Sequence, residues 1–290
     1  MQNAYFKPDK GASLFEYDFK PVAKNLSDNM TRREEGYHSK LKDAQIVGQQ
    51  KPNSANETAS IHDLVLAKEE GLMDYLNYDW YERKSFIDHF IGVESGLDDF
   101  EKAAYKEQGD FVNQPYELTS KIRRKDRVEL LFERVGNVWV DGSFEPIIIR
   151  KKLTVFNESA EITADYEIIN NSGKDLNLRF AVEFNYGLQA GHTDDRYYYN
   201  NQGRLPDAWL DSRGELSDQD FIGLKDEYLK VDIQLSAESL DNIWRVPVET
   251  ISLSESGFEK VYQSSSVLLI WNISLGKNWN KTITQKVTTF

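Results

Sequence analysis

The sequence contains no cysteine among its 290 residues. This excludes disulfide bonds, thiolate nucleophiles and cysteine-based zinc or iron–sulfur sites, so stability must come from a packed core. Long apolar runs are also missing, because the longest strongly apolar stretch, residues 267–271, is far shorter than the roughly 20 residues of a membrane helix. Residues 1–8 lack the basic and apolar regions of a secretory signal. We therefore predict a cytoplasmic protein that has no membrane partner.

The chain is also short of positive charge, with 35 Lys and Arg against 48 Asp and Glu and a net charge of −13. An acidic surface repels phosphate backbones, so no nucleic-acid partner is expected. The 6 Trp, 15 Tyr and 15 Phe instead suit neutral polar ligands such as sugars, whose apolar ring faces stack on flat side chains.

Recognisable catalytic motifs are missing as well. The sequence has no phosphate-binding glycine loop, no His-Glu-x-x-His helix and no nucleophile elbow around a serine. Its histidines do not show metal-ligand spacing; they are His38, His62, His89 and His192. We therefore predict no cofactor, no metal and no catalytic residue, and a function that depends on something outside the chain.

What the sequence does contain is a succession of alternating apolar and polar residues. Residues 13–19 alternate until Pro21, and from about Phe111 onward such runs are separated by Gly, Asn, Asp and Pro. The clearest hairpin is predicted around the turn at residues 170–175, between the runs 162–168 and 176–184. Without crossover helices between the runs, the pattern predicts a mainly β fold, a large antiparallel β-sandwich with a few short helices.

One segment departs from this pattern. Residues 60–78 predict a helix, because apolar residues recur at three- and four-residue spacing, although Gly71 indicates a break. We therefore predict a single β-sandwich domain over 1–290, in which 52–110 form a partly helical, irregular segment. If the chain has a domain boundary, we expect it between Gln49 and Asn56.

A first group of candidate residues follows the run 176–184. His192, Asp194, Asp195, Arg196 and Tyr197 lie in a polar and aromatic loop of the kind that a rigid sheet presents to ligands. They are candidates for contact with a polyol, and the carboxylates for binding a hard cation. In the alternative interpretation, Asp195 and Arg196 form a local ion pair, and His192 forms its hydrogen bonds with the backbone.

A second group combines acids with aromatic residues in 78–90. Trp80, Tyr81, Asp88 and His89 are typical of a sugar site, and equally of a buried interface anchored by aromatic side chains. We favour an interface. Glycoside hydrolysis needs two carboxylates at a defined separation across the scissile bond, and a sequence alone does not give that distance.

Several stretches, taken in order, resemble the C-terminal region of the 4-α-glucanotransferases and α-amylases of glycoside hydrolase family 57. They include TRREEGYH at 31–38, GDFVNQPYE at 109–117 and AGH at 190–192, together with residues 5–8, 11–21, 60–63, 78–81, 85–90 and 195–198. The resemblance implies a sandwich of the galactose-mutarotase-like type that follows an N-terminal (β/α)-barrel carrying the catalytic Glu and Asp. The chain begins where that barrel would have ended, so no residue here is expected to inherit the nucleophile or the acid.

Three functions remain open. In the first, the chain is a noncatalytic domain that packs on and completes the barrel of an α-glucan-processing enzyme, in the same or a partner chain, through residues 31–38 and 78–90. In the second, it is an independent module that binds maltooligosaccharide around His192. In the third, it is an aldose-epimerase-like enzyme using Glu183 and His192, where alternation predicts that Glu183 points away from Val182 and Phe184.

Overall fold

The computed structural model describes residues 1–46 and 66–290, and most of their regular structure is β-strand. Helical structure in these residues is limited to α1 (Leu97–Glu101) and to 3-10 turns at Pro8–Lys10, Lys20–Val22, His38–Asp43 and Leu72–Tyr75. The strands are β1 (Gln2–Lys7), β2 (Ser13–Phe19), β3 (Lys24–Asn25), β4 (Gln45–Ile46), β5 (Leu66–Ala67), β6 (Ile87–Phe90), β7 (Glu117–Arg123), β8 (Arg127–Val140), β9 (Ser143–Phe156), β10 (Ala160–Asn170), β11 (Leu176–Tyr186), β12 (Arg196–Asn200), β13 (Gly203–Trp209), β14 (Gly214–Ser217), β15 (Phe221–Asp226), β16 (Val231–Ala237), β17 (Asn242–Ser254), β18 (Gly257–Leu275) and β19 (Asn278–Thr289).

The strands form two large sheets and one small one. The nine-stranded sheet has the order β13-β12-β15-β16-β19-β10-β9-β8-β7, and the seven-stranded sheet has β14-β17-β18-β11-β6, with β5 beside β18 and β4 beside β5. Strands β1, β2 and β3 form the small sheet. All pairs of neighbouring strands are antiparallel except β4–β5 and β5–β18. The predicted antiparallel β architecture is confirmed.

The main core contains alternate side chains from both large sheets. Along β10, Ile162, Ala164 and Ile168 are fully buried, and along β11 Phe180 and Val182 join them in the same cluster. This spacing follows from the two-residue period of a strand, which turns every second side chain to one face. Burying each large apolar side chain contributes roughly 1.5–3 kcal/mol, so the alternation seen in the sequence stabilises the sandwich.

The hairpin predicted around residues 170–175 is wrong. Strand β10 pairs with β9 and β19, whereas β11 pairs with β6 and β18, so the chain crosses from one sheet to the other at this turn. The Asn170 side chain fixes the crossing by donating to the backbone oxygens of Lys174, Leu275 and Gly276. Alternation identifies the buried face of each strand but not its hydrogen-bonding neighbour, and these two apolar faces meet across the core.

The helix predicted over residues 60–78 is not formed in its described part, 66–78. Leu66–Ala67 form β5, and Gly71 adopts a left-handed φ of 75° that a right-handed helix does not accommodate. Ala67 and Leu72 are nevertheless buried, in a small cluster with Phe258 of β18. Residues 60–65, the domain boundary predicted between Gln49 and Asn56, and His62 lie outside the described residues.

A layer of irregular chain that contains Tyr81, Phe100 and Tyr105 covers the outer face of the seven-stranded sheet, and we call it the covering layer. It brings Tyr81, Phe100 and Tyr105 into one apolar cluster with Trp244 and Leu268 of the sheet, which we call the outer cluster. The candidate residues of 78–90 lie in or beside this layer. Within residues 1–46 and 66–290, none of the helices has the length and apolar character needed to cross a membrane.

Candidate functional site

Polar side chains beneath the covering layer converge on Glu183. Val182 points into the core, so the alternation of β11 turns Glu183 to the opposite face, as the sequence predicts. Its carboxylate accepts hydrogen bonds from the Tyr81 hydroxyl at 2.6 Å and from the Arg83 guanidinium at 3.1 Å. The Nε2 atom of His89 lies 3.0 Å from the same carboxylate. One glutamate thus connects β11, β6 and the covering layer.

Further ion pairs extend this site in both directions. Arg83 donates to Asp79 at 2.8 Å, and Asp79 pairs with Arg32 at 2.6 Å. On the other side, His89 Nδ1 lies 3.2 Å from a carboxylate oxygen of Glu107. Positive and negative groups therefore alternate along one connected row, which we call the buried ion chain: Arg32, Asp79, Arg83, Glu183, His89 and Glu107.

The electrostatics of the buried ion chain set the charges of its central members. Burial opposes ionisation of His89, but hydrogen bonds to Glu107 and Glu183 raise its pKa to about 9. Burial also opposes ionisation of Glu183, but Arg83, His89 and Tyr81 lower its pKa to about 2. At neutral pH the pair is therefore imidazolium and carboxylate.

This arrangement is suited to holding the covering layer in place, not to acid–base catalysis. A catalytic acid or base needs a pKa near the working pH and contact with the substrate. His89 and Glu183 have 0% exposure, and each is bound by charged partners within the chain. The pairing considered for an epimerase is also not the observed one, because Glu183 contacts His89 whereas His192 contacts Asp211.

The shifted pKa of His89 leads to a pH prediction. A folded-state pKa of about 9 against an ordinary 6.5 stabilises the fold fully below about pH 6.5, and this contribution is lost as the pH rises through 9. We expect the loss to be about 3 kcal/mol. Chemical denaturation at pH 6.5 and at pH 9.5 measures it, and a His89→Gln variant, which has no charge to lose, should show a smaller decline. Equal declines in the two proteins would contradict the assignment.

Asp88 occupies the other face of β6, inside the main core. Its carboxylate accepts hydrogen bonds from the hydroxyls of Tyr116 and Tyr166, both at 2.7 Å, and from the Lys151 ammonium group at 2.9 Å. Lys151 also donates to two backbone carbonyl oxygens, at 2.9 and 2.8 Å. Burial lowers the pKa of Lys151, and the three bonds satisfy its three protons. Asp88 therefore fastens the two sheets together and does not face a ligand.

Trp80 differs from the other candidates in its segment because half of it is exposed. Tyr81, Asp88 and His89 are 2%, 1% and 0% exposed, whereas Trp80 is 50% exposed. The Trp80 ring packs on Tyr81 with a centroid distance of 4.7 Å, and nearby Tyr78 is 38% exposed. Of the four candidates in 78–90, Trp80 alone is open to a partner or ligand.

The loop before β12 places His192 on the surface. Its Nδ1 atom lies 3.1 Å from the Asp211 carboxylate, and its ring lies 3.7 Å from that of Trp209 between centroids. Gly191 makes this approach possible, because a Cβ atom there would lie 2.6 Å from the Cβ of Asp211. His192 is thus bound by a side chain and not by the backbone, and Asp194 extends into solvent with 94% exposure of its side chain.

The remaining candidates form local ion pairs and hydrogen bonds. Arg196 donates to Asp195 at 3.1 Å, as the alternative interpretation of the sequence holds, and also to the buried Asp226 at 3.0 Å. The Tyr197 hydroxyl donates to Glu227 at 3.0 Å. Asp226 was not among the residues predicted from the sequence, and it lies directly opposite Arg196 in the pairing of β12 with β15.

Comparisons with known proteins agree with this architecture. The family model described as "Alpha-amylase/4-alpha-glucanotransferase, C-terminal" matches residues 1–284. Alpha-amylase 1 of Dictyoglomus thermophilum is 31% identical over 285 residues, which are 97% of this chain and 38% of that protein. The 4-alpha-glucanotransferase of Thermococcus litoralis is 30% identical over 272 residues, which are 93% of this chain and 36% of that protein.

Solved structures support the same assignment. The crystal structure of the Thermococcus litoralis 4-alpha-glucanotransferase superposes with a TM-score of 0.70 and 26% identity, covering 98% of this chain and 35% of that one. A galactose mutarotase-like protein from Clostridium acetobutylicum shares the fold, with a TM-score of 0.56 at 6% identity, covering 100% of this chain and 93% of that one. The chain thus spans little more than a third of the length of the amylase and glucanotransferase relatives it matches. The chain belongs to the family of C-terminal domains of alpha-amylases and 4-alpha-glucanotransferases.

Proposed function

We propose that this chain is the noncatalytic domain of an α-glucan-processing enzyme of glycoside hydrolase family 57, and that it packs on a catalytic (β/α)-barrel. The observation that carries the proposal is the match of nearly the whole chain to only about a third of each relative, which places two thirds of those enzymes outside the matched region. The central carboxylates support it, because Glu183 and Asp88 are fully occupied by internal partners. We also propose that residues 1–290 form a single domain and that the protein is cytoplasmic.

The covering layer is the face that we propose docks on the barrel. It exposes Trp80 and Tyr78, and aromatic side chains are enriched among the residues that dominate binding energy at interfaces. The buried ion chain supports this role, because the Arg32–Asp79 and Arg83–Glu183 pairs fix the backbone on both sides of Trp80. A docking aromatic held in this way loses little conformational freedom on binding.

Replacing Trp80 with alanine tests the docking face. The substitution removes a ring that is half exposed, so we expect it to weaken association between this chain and the barrel by about 2 kcal/mol or more, roughly 30-fold. Isothermal titration of this chain with the separately produced barrel measures the effect. Chemical denaturation of the variant chain alone separates lost docking from lost folding.

The control is Trp139→Ala, a second exposed tryptophan (37%) that lies on the nine-stranded sheet. It should leave association unchanged. If both substitutions have the same effect, or neither has one, Trp80 is not part of the docking face.

A further inference from the structure

A groove of 460 Å³ runs along β13 at the edge of the nine-stranded sheet. It is lined by Asp194 and by residues 204–209, which include Trp209. Asp194 is one of the ligand-contact candidates predicted in the loop before β12, and β13 supplies the other lining residues.

The aromatic wall of this groove is held in a fixed orientation. The Trp209 ring contacts the His192 ring, and His192 is itself bound to Asp211. Trp209 nevertheless remains 36% exposed and lines the groove. A rigid aromatic side chain offers stacking area to a ligand at little cost in entropy.

Three charged residues line the groove with this ring, namely Asp194, Arg204 and Asp207. The Asp194 carboxylate lies 3.5 Å from the Trp209 indole nitrogen and 4.0 Å from the Arg204 guanidinium, and its side chain is 94% exposed. Arg204 donates to the backbone oxygen of Asp194 at 3.1 Å, while its guanidinium lies 4.6 Å from the Tyr197 ring centroid. A carboxylate that accepts hydrogen bonds and a guanidinium that donates them therefore lie beside one flat apolar surface.

We propose that this groove binds an α-glucan chain, with the apolar face of one glucose ring on Trp209 and its hydroxyls bonded to Asp194 and Arg204. The combination fits a polyol, because carboxylates and a guanidinium beside an aromatic ring supply acceptors and donors for hydroxyls together with a stacking surface. The identity of the sugar rests on the proposed function, since it is the substrate class of the parent enzyme. The groove would hold substrate near the catalytic domain and raise its local concentration.

Titrating the 290-residue chain with maltoheptaose tests this site. A single stacked sugar with a few hydrogen bonds should give a dissociation constant on the order of 1 mM, read from heat and from tryptophan fluorescence. Trp209→Ala should weaken binding at least about tenfold, whereas Trp139→Ala, at 37% exposure against 36%, should leave it unchanged. Asp194→Ala, at a side chain that is 94% exposed, should weaken binding severalfold without affecting the fold.

If no saturable signal is seen at maltoheptaose concentrations well above about 1 mM, the proposal is overturned. Equal affinity of the wild-type, Trp209→Ala and Asp194→Ala proteins for maltoheptaose would also overturn it. Cellohexaose, whose linkages are β, serves as the ligand control and should bind more weakly. Docking on the barrel is measured without sugar, so failure of this titration and failure of the proposed function are distinguishable.

Discussion

Replacing Arg83 with leucine is expected to lower the free energy of unfolding by about 3–5 kcal/mol. Arg83 is 1% exposed and pairs with Asp79 and Glu183, so its removal leaves two carboxylates buried without their shared cation. It also removes the hydrogen bond from the guanidinium to the backbone oxygen of Phe100 in α1. Chemical denaturation at neutral pH measures the loss, and the covering layer should be the region whose amide protection falls most in hydrogen exchange.

Arg150 supplies a matched control for this substitution. It also pairs with two carboxylates, Glu133 at 2.6 Å and Glu167 at 3.1 Å, but its side chain is 43% exposed. Because water and salt screen exposed pairs, Arg150→Leu should cost no more than about 1 kcal/mol. If Arg83→Leu costs no more than Arg150→Leu, the buried ion chain does not hold the covering layer in place.

The second large effect is expected at Lys151, whose replacement by methionine should also cost about 3–5 kcal/mol. Lys151 is 0% exposed, and its ammonium group donates to Asp88 and to two backbone carbonyl oxygens, each of which would lose this hydrogen bond. Tyr116 and Tyr166 would continue to donate to Asp88, which favours the lower end of this range.

Lys152, the next residue in β9, is the control because it points to the opposite face. It pairs with Asp165 at 2.7 Å, and its side chain is 46% exposed. Lys152→Met should change the free energy of unfolding by no more than about 1 kcal/mol. Thermal or chemical denaturation of the two variants compares them directly, and similar losses would show that burial of the Lys151–Asp88 pair is not what stabilises this region.

Much of the architecture was predictable because strands display their buried face in the sequence. The alternation at residues 13–19 coincides with β2, and the runs in the second half correspond to strands of the two large sheets. Pairing was not predictable from the same signal. The error at residues 170–175 arose because two strands that are adjacent in the chain, and apolar on one face each, can meet across a core as well as within a sheet.

The buried ion chain was only partly visible in the sequence. Its members lie between residues 32 and 183, and only the fold brings Arg32 to Asp79 or Glu107 to His89. A local signal did exist, since Glu183 interrupts an otherwise apolar stretch of β11 and a charge in such a position requires a partner. Trp209 and Arg204 were not predicted as neighbours of Asp194. They lie on β13, which follows a turn after β12 and runs back toward Asp194.

The most direct test of the account is the analysis of products formed from maltoheptaose by this chain alone and after addition of the barrel. We expect no shorter or longer maltooligosaccharides from the chain alone, because its central carboxylates are bound internally, and products only when the barrel is present. Product formation by the chain alone, reduced by Glu183→Gln, would contradict the claim that its function depends on a catalytic domain outside it.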